Sequence, residues 1–374
     1  MSSVILSYFP PGFYYFYLLM NNAFYMQQCL YLAQQAKGHT SPNPMVGAVL
    51  VHEDRIIGEG WHHNYGADHA EVNCLKKVAD ADKHLLPEST MYVNLEPCAH
   101  QGITPPCANR LVAEKIRKVV IANADPFELV SGKGISILKE GGIEVVTNVL
   151  EKQGSWMNRR FFCFHRQKRP YVILKWAQTS NGFIAPADGG RMLITGKESQ
   201  QLVHKWRTEE DAIMVGYNTA LNDNPQLTAR LCDGKQPLRI VLDRNLQIPL
   251  THHIYDSAAA TWIINEKRET LYGNIHFLQM RFDGSLLIHI LQRLYDAKIL
   301  SVIIEGGAVL LNSFINEGIW DEARIFTGVS SLTTGINSPV LKEAPEYTSE
   351  EGNDKLQIII NKNSAYPYVQ GMPL

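Results

Sequence analysis

Short apolar strands alternate with helices twice along this chain, in two runs separated by a basic, aromatic joint. That alternation restricts the fold more than any composition figure, because strands and helices in turn bury their apolar faces as a sheet covered by helices. In the first run, residues 45–51 and 56–61 read as strands joined by a short polar turn, and 68–78 as a helix with Asp68 at its N-cap. Residues 91–95 read as a strand, 105–115 as a helix opened by proline, and 118–122 as a strand. A helix over 134–140 is closed by Gly141-Gly142, and a last strand covers 143–146. The second run predicts strands over 171–176, 212–215, 238–242, 261–264 and 302–304, with helices over 199–208, 284–297 and 307–317. Between the runs, Arg159-Arg160-Phe161-Phe162, the basic stretch 165–169 and Pro170 read as a solvated connector. A chain of 374 residues also exceeds the roughly 250–300 over which one core can grow, so two α/β domains are expected.

The first charged residue is Lys37, and residues 4–20 are apolar and aromatic. Pro10-Pro11-Gly12 interrupts that stretch, and no basic flank or small-residue cleavage site marks a signal peptide. Residues 1–21 are therefore expected to lie outside the fold, with Asn22 capping the helix that follows and a membrane anchor as the alternative. The expected domains are 22–166 and 170–374. With 35 Lys+Arg against 37 Asp+Glu and a net charge of −2, the chain has no bulk electrostatic footprint for a nucleic acid. Cys29, Cys74, Cys98, Cys107, Cys163 and Cys232 are too sparse for a disulfide scaffold, which predicts a reducing, cytoplasmic compartment.

Chemistry is concentrated in His69-Ala70-Glu71, Glu96-Pro97-Cys98 and Pro105-Pro106-Cys107. One histidine and two thiolates with a fourth position open is the donor set of a catalytic zinc, whose remaining place belongs to water. Glu71, two residues after His69, is then the proton carrier rather than a ligand, as in zinc-dependent deaminases generally. His69 and Cys107 both sit where helices are expected to start, and unpaired N–H groups there favour a thiolate and a metal-bound water. A structural zinc would need a fourth ligand, for which His100 is the nearby candidate. His-x-Glu or Pro-Cys alone would mean little.

Asn43-Pro44-Met45-Val46-Gly47, Gly60-Trp61-His62, the three segments above, His100, Thr104 and Gly132-Lys133-Gly134 occur in order. Together they resemble the deaminase half of the bifunctional riboflavin-biosynthesis deaminase/reductase family, over about residues 22–332. Eight residues separate the thiols here, and that spacing with Thr-Pro-Pro-Cys sets the family apart from cytidine and tRNA deaminases. The resemblance implies a cytidine-deaminase-like three-layer α/β domain followed by a dihydrofolate-reductase-like domain. It also implies zinc in the first, NADPH in the second, and a small phosphorylated pyrimidine as substrate. The expected enzyme is a homo-oligomer without nucleic-acid or membrane partners. Its metal ligands would be His69, Cys98 and Cys107, with Glu71 catalytic and Asn43 and His62 on the pyrimidine.

The second half has no Gly-x-Gly-x-x-Gly, which argues against a Rossmann site. Instead a strand runs into Glu305-Gly306-Gly307 and a helix, where glycines let a phosphate approach the helix N-terminus, although such a turn needs glycine in any case. On the resemblance, Lys175 is catalytic and lies with Glu305 at the substrate sugar. Arg207 and Arg230 contact its phosphate, and Arg191 and Leu227 complete the substrate set. Ala177, Leu193, Thr219, Asp223, Gly307, Ala308, Val309, Leu310, Leu311, Asn312 and Ser313 are the expected NADP contacts. Asn181 stands where the family carries an acid, Leu193 where it carries tryptophan, Arg191 where it carries serine, and Ile103 where it carries a basic residue. Two competitors follow: an active deaminase with a degenerate reductase-like module, and a deaminase of nucleic-acid bases, which would need a basic channel.

Overall fold

The computed structural model describes residues 11–99, 105–127 and 131–373, with side chains from residue 21 onward. The chain divides into two compact units, the first ending at His165 and including residues from Val369 onward, the second spanning Arg166–Tyr368. Ile103, His100 and most of the expected N-terminal extension lie outside the described residues or side chains.

The first unit opens with α1 (Pro11–Gln34), then β1 (Gly47–His52), β2 (Arg55–Trp61), α2 (Ala70–Lys76), a 3-10 turn and β3 (Thr90–Leu95). It continues with α3 (Cys107–Ala113), β4 (Lys118–Asn123), α4 (Lys133–Glu140), β5 (Glu144–Val146), α5 (Glu151–Met157) and α6 (Arg159–Gln167). The sheet order is β2-β1-β3-β4-β5, antiparallel on the β1 side and parallel from β3 to β5. Side chains alternate across a strand, and the packing follows that period. Ala48, Leu50, Met91, Val93, Val119 and Ile121 face α2, α3 and α4 through Ala70, Cys74, Leu111 and Leu138. Val49, Val51, Tyr92, Val120 and Ala122 face Tyr25, Met26, Cys29 and Leu32 of α1 on the other side. Helix, sheet and helix therefore form three layers.

Three sequence expectations are corrected here. Asn22 does not cap a helix, because α1 already begins at Pro11; its Oδ1 instead accepts the Tyr92 hydroxyl at 2.9 Å. Asp68 is not the cap of α2, a position that His69 occupies. The joint is not a solvated connector: α6 buries Phe161, Phe162, Cys163 and Phe164. Arg159, 2% exposed, lies 3.8 Å over the Trp156 ring and donates to the Trp156 carbonyl. Cation–π stacking and hydrogen bonding remove the cost of burying its charge.

The second unit carries β6 (Tyr171–Gln178), β7 (Phe183–Pro186), α7 (Lys197–Glu209), β8 (Ala212–Val215), α8 (Tyr217–Asp223), β9 (Leu238–Leu242) and β10 (Thr261–Asn265). Next come β11 (Thr270–Tyr272), β12 (Ile275–Gln279), α9 (Leu286–Asp296), β13 (Ser301–Glu305), α10 (Ala308–Glu317) and β14 (Glu322–Thr327). Finally come β15 (Gly335–Asn337), β16 (Tyr347–Glu351) and β17 (Asp354–Ile360). Its main sheet has the order β11-β12-β10-β9-β8-β13-β6-β14-β17-β16, parallel from β12 through β14. Parallel strands align their C-terminal ends, and in open α/β sheets ligands sit in the crevice beyond those ends. The strands after α10 were not predicted from sequence. In β14 a buried Arg324 pairs with Glu322 and Glu210, so a core strand carries charges that disguise it.

Candidate active sites

The first site is built by two helix starts and one loop. Gly60 lets β2 approach α2 so closely that a Cβ there would lie 2.3 Å from the Cys74 nitrogen. This brings His62, at the end of β2, beside His69 at the start of α2, with ring centroids 5.4 Å apart. Cys107 begins α3, and its backbone N–H donates to Cys98 Sγ at 3.2 Å. His69 Nδ1 lies 3.5 Å from Cys98 Sγ and 3.4 Å from Cys107 Sγ. Among the described residues these three form the one cluster able to hold a metal, their donor atoms all within 4.8 Å of one another.

The donor set fits zinc. With zinc–sulfur near 2.3 Å and zinc–nitrogen near 2.0–2.1 Å, a tetrahedral edge between them is about 3.6 Å, close to both measured separations. The electrostatics also call for a cation. Cys107 and then His69 pull the Cys98 thiol well down, while Cys98 pushes the His69 ring up to about 9.

Glu71 is in the first turn of α2 and 4% exposed. Burial first, and then the charge of Cys98, push its carboxyl up to about 6, near the range suited to proton transfer at neutral pH. His62 Nδ1 is 3.0 Å from the Asp68 carbonyl, so it carries the proton, and Nε2 accepts from Asn43 Nδ2 at 3.1 Å. Burial lowers the His62 pKa, keeping the ring neutral. The loop bearing Asn43 is pinned by two amides, since Asn94 and Asn158 each donate to the Met45 carbonyl.

Glu96 has no place in the sequence reading beyond its motif. Its carboxylate accepts the backbone N–H groups of Asp125, Gly132 and Ile135 at 3.0–3.1 Å. A Cβ on Gly134 would stand 2.0 Å from the Pro97 carbonyl. Together these contacts tie the start of α4 to the Pro97-Cys98 turn and fix the second ligand.

The second site is a cleft of about 1020 Å³ within the second unit. Lys175 on β6 and Arg207 on α7 both pair with Glu305 at the end of β13, at 3.0 and 2.9 Å. Burial raises the Glu305 pKa, but Arg207 and Lys175 outweigh it and hold the carboxyl at about 2. Gly306 and Gly307 follow with φ of +78° and +46°, a conformation that side chains resist, and the added Cβ atoms would press on Thr219. This glycine turn opens the ten-residue α10, a cradle that fits a dinucleotide phosphate.

Ala177, Leu193, Thr219, Asp223, Gly307, Ala308, Val309, Leu310 and Ser313 line the cleft, as do Leu227, Arg207 and Glu305. Leu311 instead packs in the core, and Asn312 does not line the cleft. Arg191 and Arg230 also lie off its lining, although Arg191 is close enough to act electrostatically on both Asp223 and Arg230. His204, which no motif marked, accepts the Arg230 N–H at 2.8 Å. Burial, then Arg207 and Arg230, lower its pKa to about 4. Asn181 is held through both ends of its amide: Nδ2 donates to the Leu332 carbonyl and Oδ1 accepts from the Leu332 N–H and Thr179 Oγ1. A carboxylate could not make the first of these bonds. The departure at this position is thus accommodated in the loop.

Residues 20–123 match the family described as the cytidine and deoxycytidylate deaminase zinc-binding region, and residues 170–345 match the RibD C-terminal domain. The riboflavin biosynthesis protein RibD of Aquifex aeolicus is 40% identical, covering 84% of this chain and 88% of its own length. The RibD of Escherichia coli is 30% identical over 89% of this chain and 96% of its own. Among solved structures, Acinetobacter baumannii RibD is similar with a TM-score of 0.84 and 33% identity, covering 91% of this chain and 99% of its own. A deaminase/reductase from Thermotoga maritima gives a TM-score of 0.83 at 31% identity, covering 92% and 99%.

Proposed function

This chain belongs to the RibD family of riboflavin-biosynthesis proteins, and on that footing we propose how its two sites divide a deamination and a reduction. It is a bifunctional enzyme, a hydrolytic deaminase in its first half and a reductase in its second. The observation that carries the reading is the convergence of His69 Nδ1, Cys98 Sγ and Cys107 Sγ beside the buried Glu71.

In the first site His69, Cys98 and Cys107 would hold zinc, which supplies an activated water when bound. Glu71 takes one proton from the attacking water and gives it to the ring nitrogen, then carries a second, from the hydroxyl added at that carbon, to the amine as the carbonyl forms and ammonia departs. A cation between the ligands would lower its carboxyl below its present value of about 6, so that it starts as a base. Because His62 is neutral with its proton on Nδ1, it orients Asn43 and leaves Asn43 Oδ1 to accept from the pyrimidine. The substrate proposed is a diaminopyrimidinone carrying a ribosylamine phosphate.

In the second site NADPH supplies a hydride to the sugar C1 when bound. Glu305 holds Lys175 Nζ at the sugar, where it protonates the ring oxygen as the ribose opens to a ribityl chain. Arg207 and, behind it, Arg230 receive the substrate phosphate. We assign the deaminase domain to 22–166 and the reductase domain to 170–374. We also propose a cytoplasmic homo-oligomer with no nucleic-acid or membrane partner. Among the described residues no helix is long and apolar enough to cross a membrane.

The test is metal analysis with deamination of the pyrimidine by the full chain. About one zinc per chain with stoichiometric ammonia release is expected; a metal-free protein that deaminates equally well would refute the assignment. Light scattering showing a monomer at working concentration would remove the oligomer.

A further inference from the structure

The segment that carries Asn43 lies just ahead of β1, before the first pairs of its ladders with β2 and β3, Gly47 with Trp61 and Ala48 with Val93. No strand pairs with it, so its backbone groups must find partners elsewhere. The Asn43 N–H donates to the Thr40 carbonyl at 2.7 Å, and the Val46 carbonyl accepts the His62 N–H at 2.9 Å. Met45, between them, is held by side chains. Asn158 takes both of its main-chain groups, Oδ1 accepting the Met45 N–H at 2.8 Å and Nδ2 donating to the Met45 carbonyl at 2.9 Å. Asn94 adds a second donor to that carbonyl at 3.0 Å and accepts the Gly47 N–H at 2.7 Å.

We propose that Asn158 is a positioning residue for the deamination, setting the Asn43 side chain at the pyrimidine by fixing Met45. The inference rests on reading Asn43 as a pyrimidine contact. Its first support is that the Asn158 amide is buried and committed to Met45. Asn158 lies between α5 and α6, and its own carbonyl accepts the Phe162 N–H at 2.9 Å. An asparagine in such a place ordinarily turns its side-chain oxygen to a helix N–H. Here both ends of the amide go instead to a residue 113 positions earlier. The second support is Pro44, whose ring fixes its own φ near −65° and confines the residue before it to extended backbone. Asn43 therefore follows wherever Met45 is held.

The third support is what Asn158 is itself anchored to. Asn123, at the end of β4, donates with Nδ2 to the Glu151 carbonyl at 3.0 Å and to Ser155 Oγ at 2.9 Å. A Cβ on Gly154 would stand 2.0 Å from Asn123 Oδ1, so α5 is seated tightly on this side chain. The carbonyl of the same Asn123 accepts the Glu96 N–H at 2.9 Å, two residues before the ligand Cys98. One residue thus holds both the helix that leads to Asn158 and the turn that carries a metal ligand. Through Asn158, Met45 and Asn43 the pyrimidine is set against the same strand end as Cys98.

The test is a double-mutant cycle in the full chain, read as kcat/KM for deamination of the diaminopyrimidinone together with zinc content. Asn158→Ala should keep about one zinc per chain and lower kcat/KM by about ten- to a hundredfold, since a misplacement of about 1 Å caused remotely can cost about 10². In an Asn43→Ala background the same change should cost less than about threefold, because the side chain it positions is gone. Asn158→Asp keeps the volume and still accepts the Met45 N–H, but turns a second acceptor on the Met45 carbonyl. It should repeat the pattern, and it serves if the alanine variant does not fold. Losses that multiply in the double variant, wild-type deamination in both Asn158 variants, or zinc lost along with activity would overturn the proposal and leave the Asn43 reading intact. Wild-type deamination by Asn43→Ala alone would overturn both.

Discussion

Replacing Glu305 by glutamine isolates the charge at the centre of the second site without changing its shape. The carboxylate bridges Lys175 and Arg207, both largely buried, and among the described residues the Arg207 Nε has no hydrogen-bond partner of its own. Glu305 is displaced from its ordinary 4.5 to about 2, which at about 1.4 kcal/mol per pH unit is worth about 3 kcal/mol. Breaking a buried pair by removing one partner typically costs about 3–5 kcal/mol, the same range. Glu305→Gln should therefore lower the stability of the second unit by about 3 kcal/mol at pH 7. Urea unfolding read from hydrogen exchange of the β6 and β13 amides would report it. The pH dependence has a fixed sign. A carboxylate held low stabilises fully above its unfolded value near 4.5 and loses that contribution as pH falls toward 2. The gap between the two proteins should stay constant from pH 8 to 5 and close below that. A loss under about 1 kcal/mol, or a gap that does not narrow by pH 3.5, would refute the reasoning.

Glu71→Gln should retain zinc but lower deaminase turnover by about 10²- to 10⁴-fold, the usual contribution of a positioned acid–base group; full turnover would remove Glu71 from the mechanism. Cys98→Ala and Cys107→Ala should each lose most of the zinc by atomic absorption, and two variants that keep both metal and activity would place the site elsewhere. His204 is held neutral to about pH 4 in the folded chain, so the unfolded chain takes up its proton first as pH drops below 6.5. Stability of the second unit should then decline between pH 6.5 and 4, and His204→Gln should flatten that part of the profile in urea titrations; an unchanged slope would contradict it.

The first site was legible because its chemistry is local. His69 and Glu71 share one helix start, and each cysteine follows a proline, so residue type and spacing sufficed. The strands of the first sheet were legible for the same reason, since Val49 and Leu50 already alternate between two apolar faces. What escaped depends on partners that residue type and spacing do not announce. Arg159 reads as solvated until Trp156 is placed under it, and the charges of β14 read as surface until Glu210 meets Arg324 across the fold. His204 lies in no motif, and only tertiary packing brings it beneath Arg230. Leu311 shows the converse limit: a contiguous run carried over by resemblance included a side chain that the helical period turns into the core.

The most direct measurement is oxidation of NADPH by the full chain supplied with the diaminopyrimidinone substrate. The account predicts oxidation that follows ammonia release, disappears in Glu71→Gln, and returns in that variant when the deaminated pyrimidine is added. Ammonia release without any NADPH oxidation, even with the deaminated pyrimidine, would contradict the claim that both halves are catalytic.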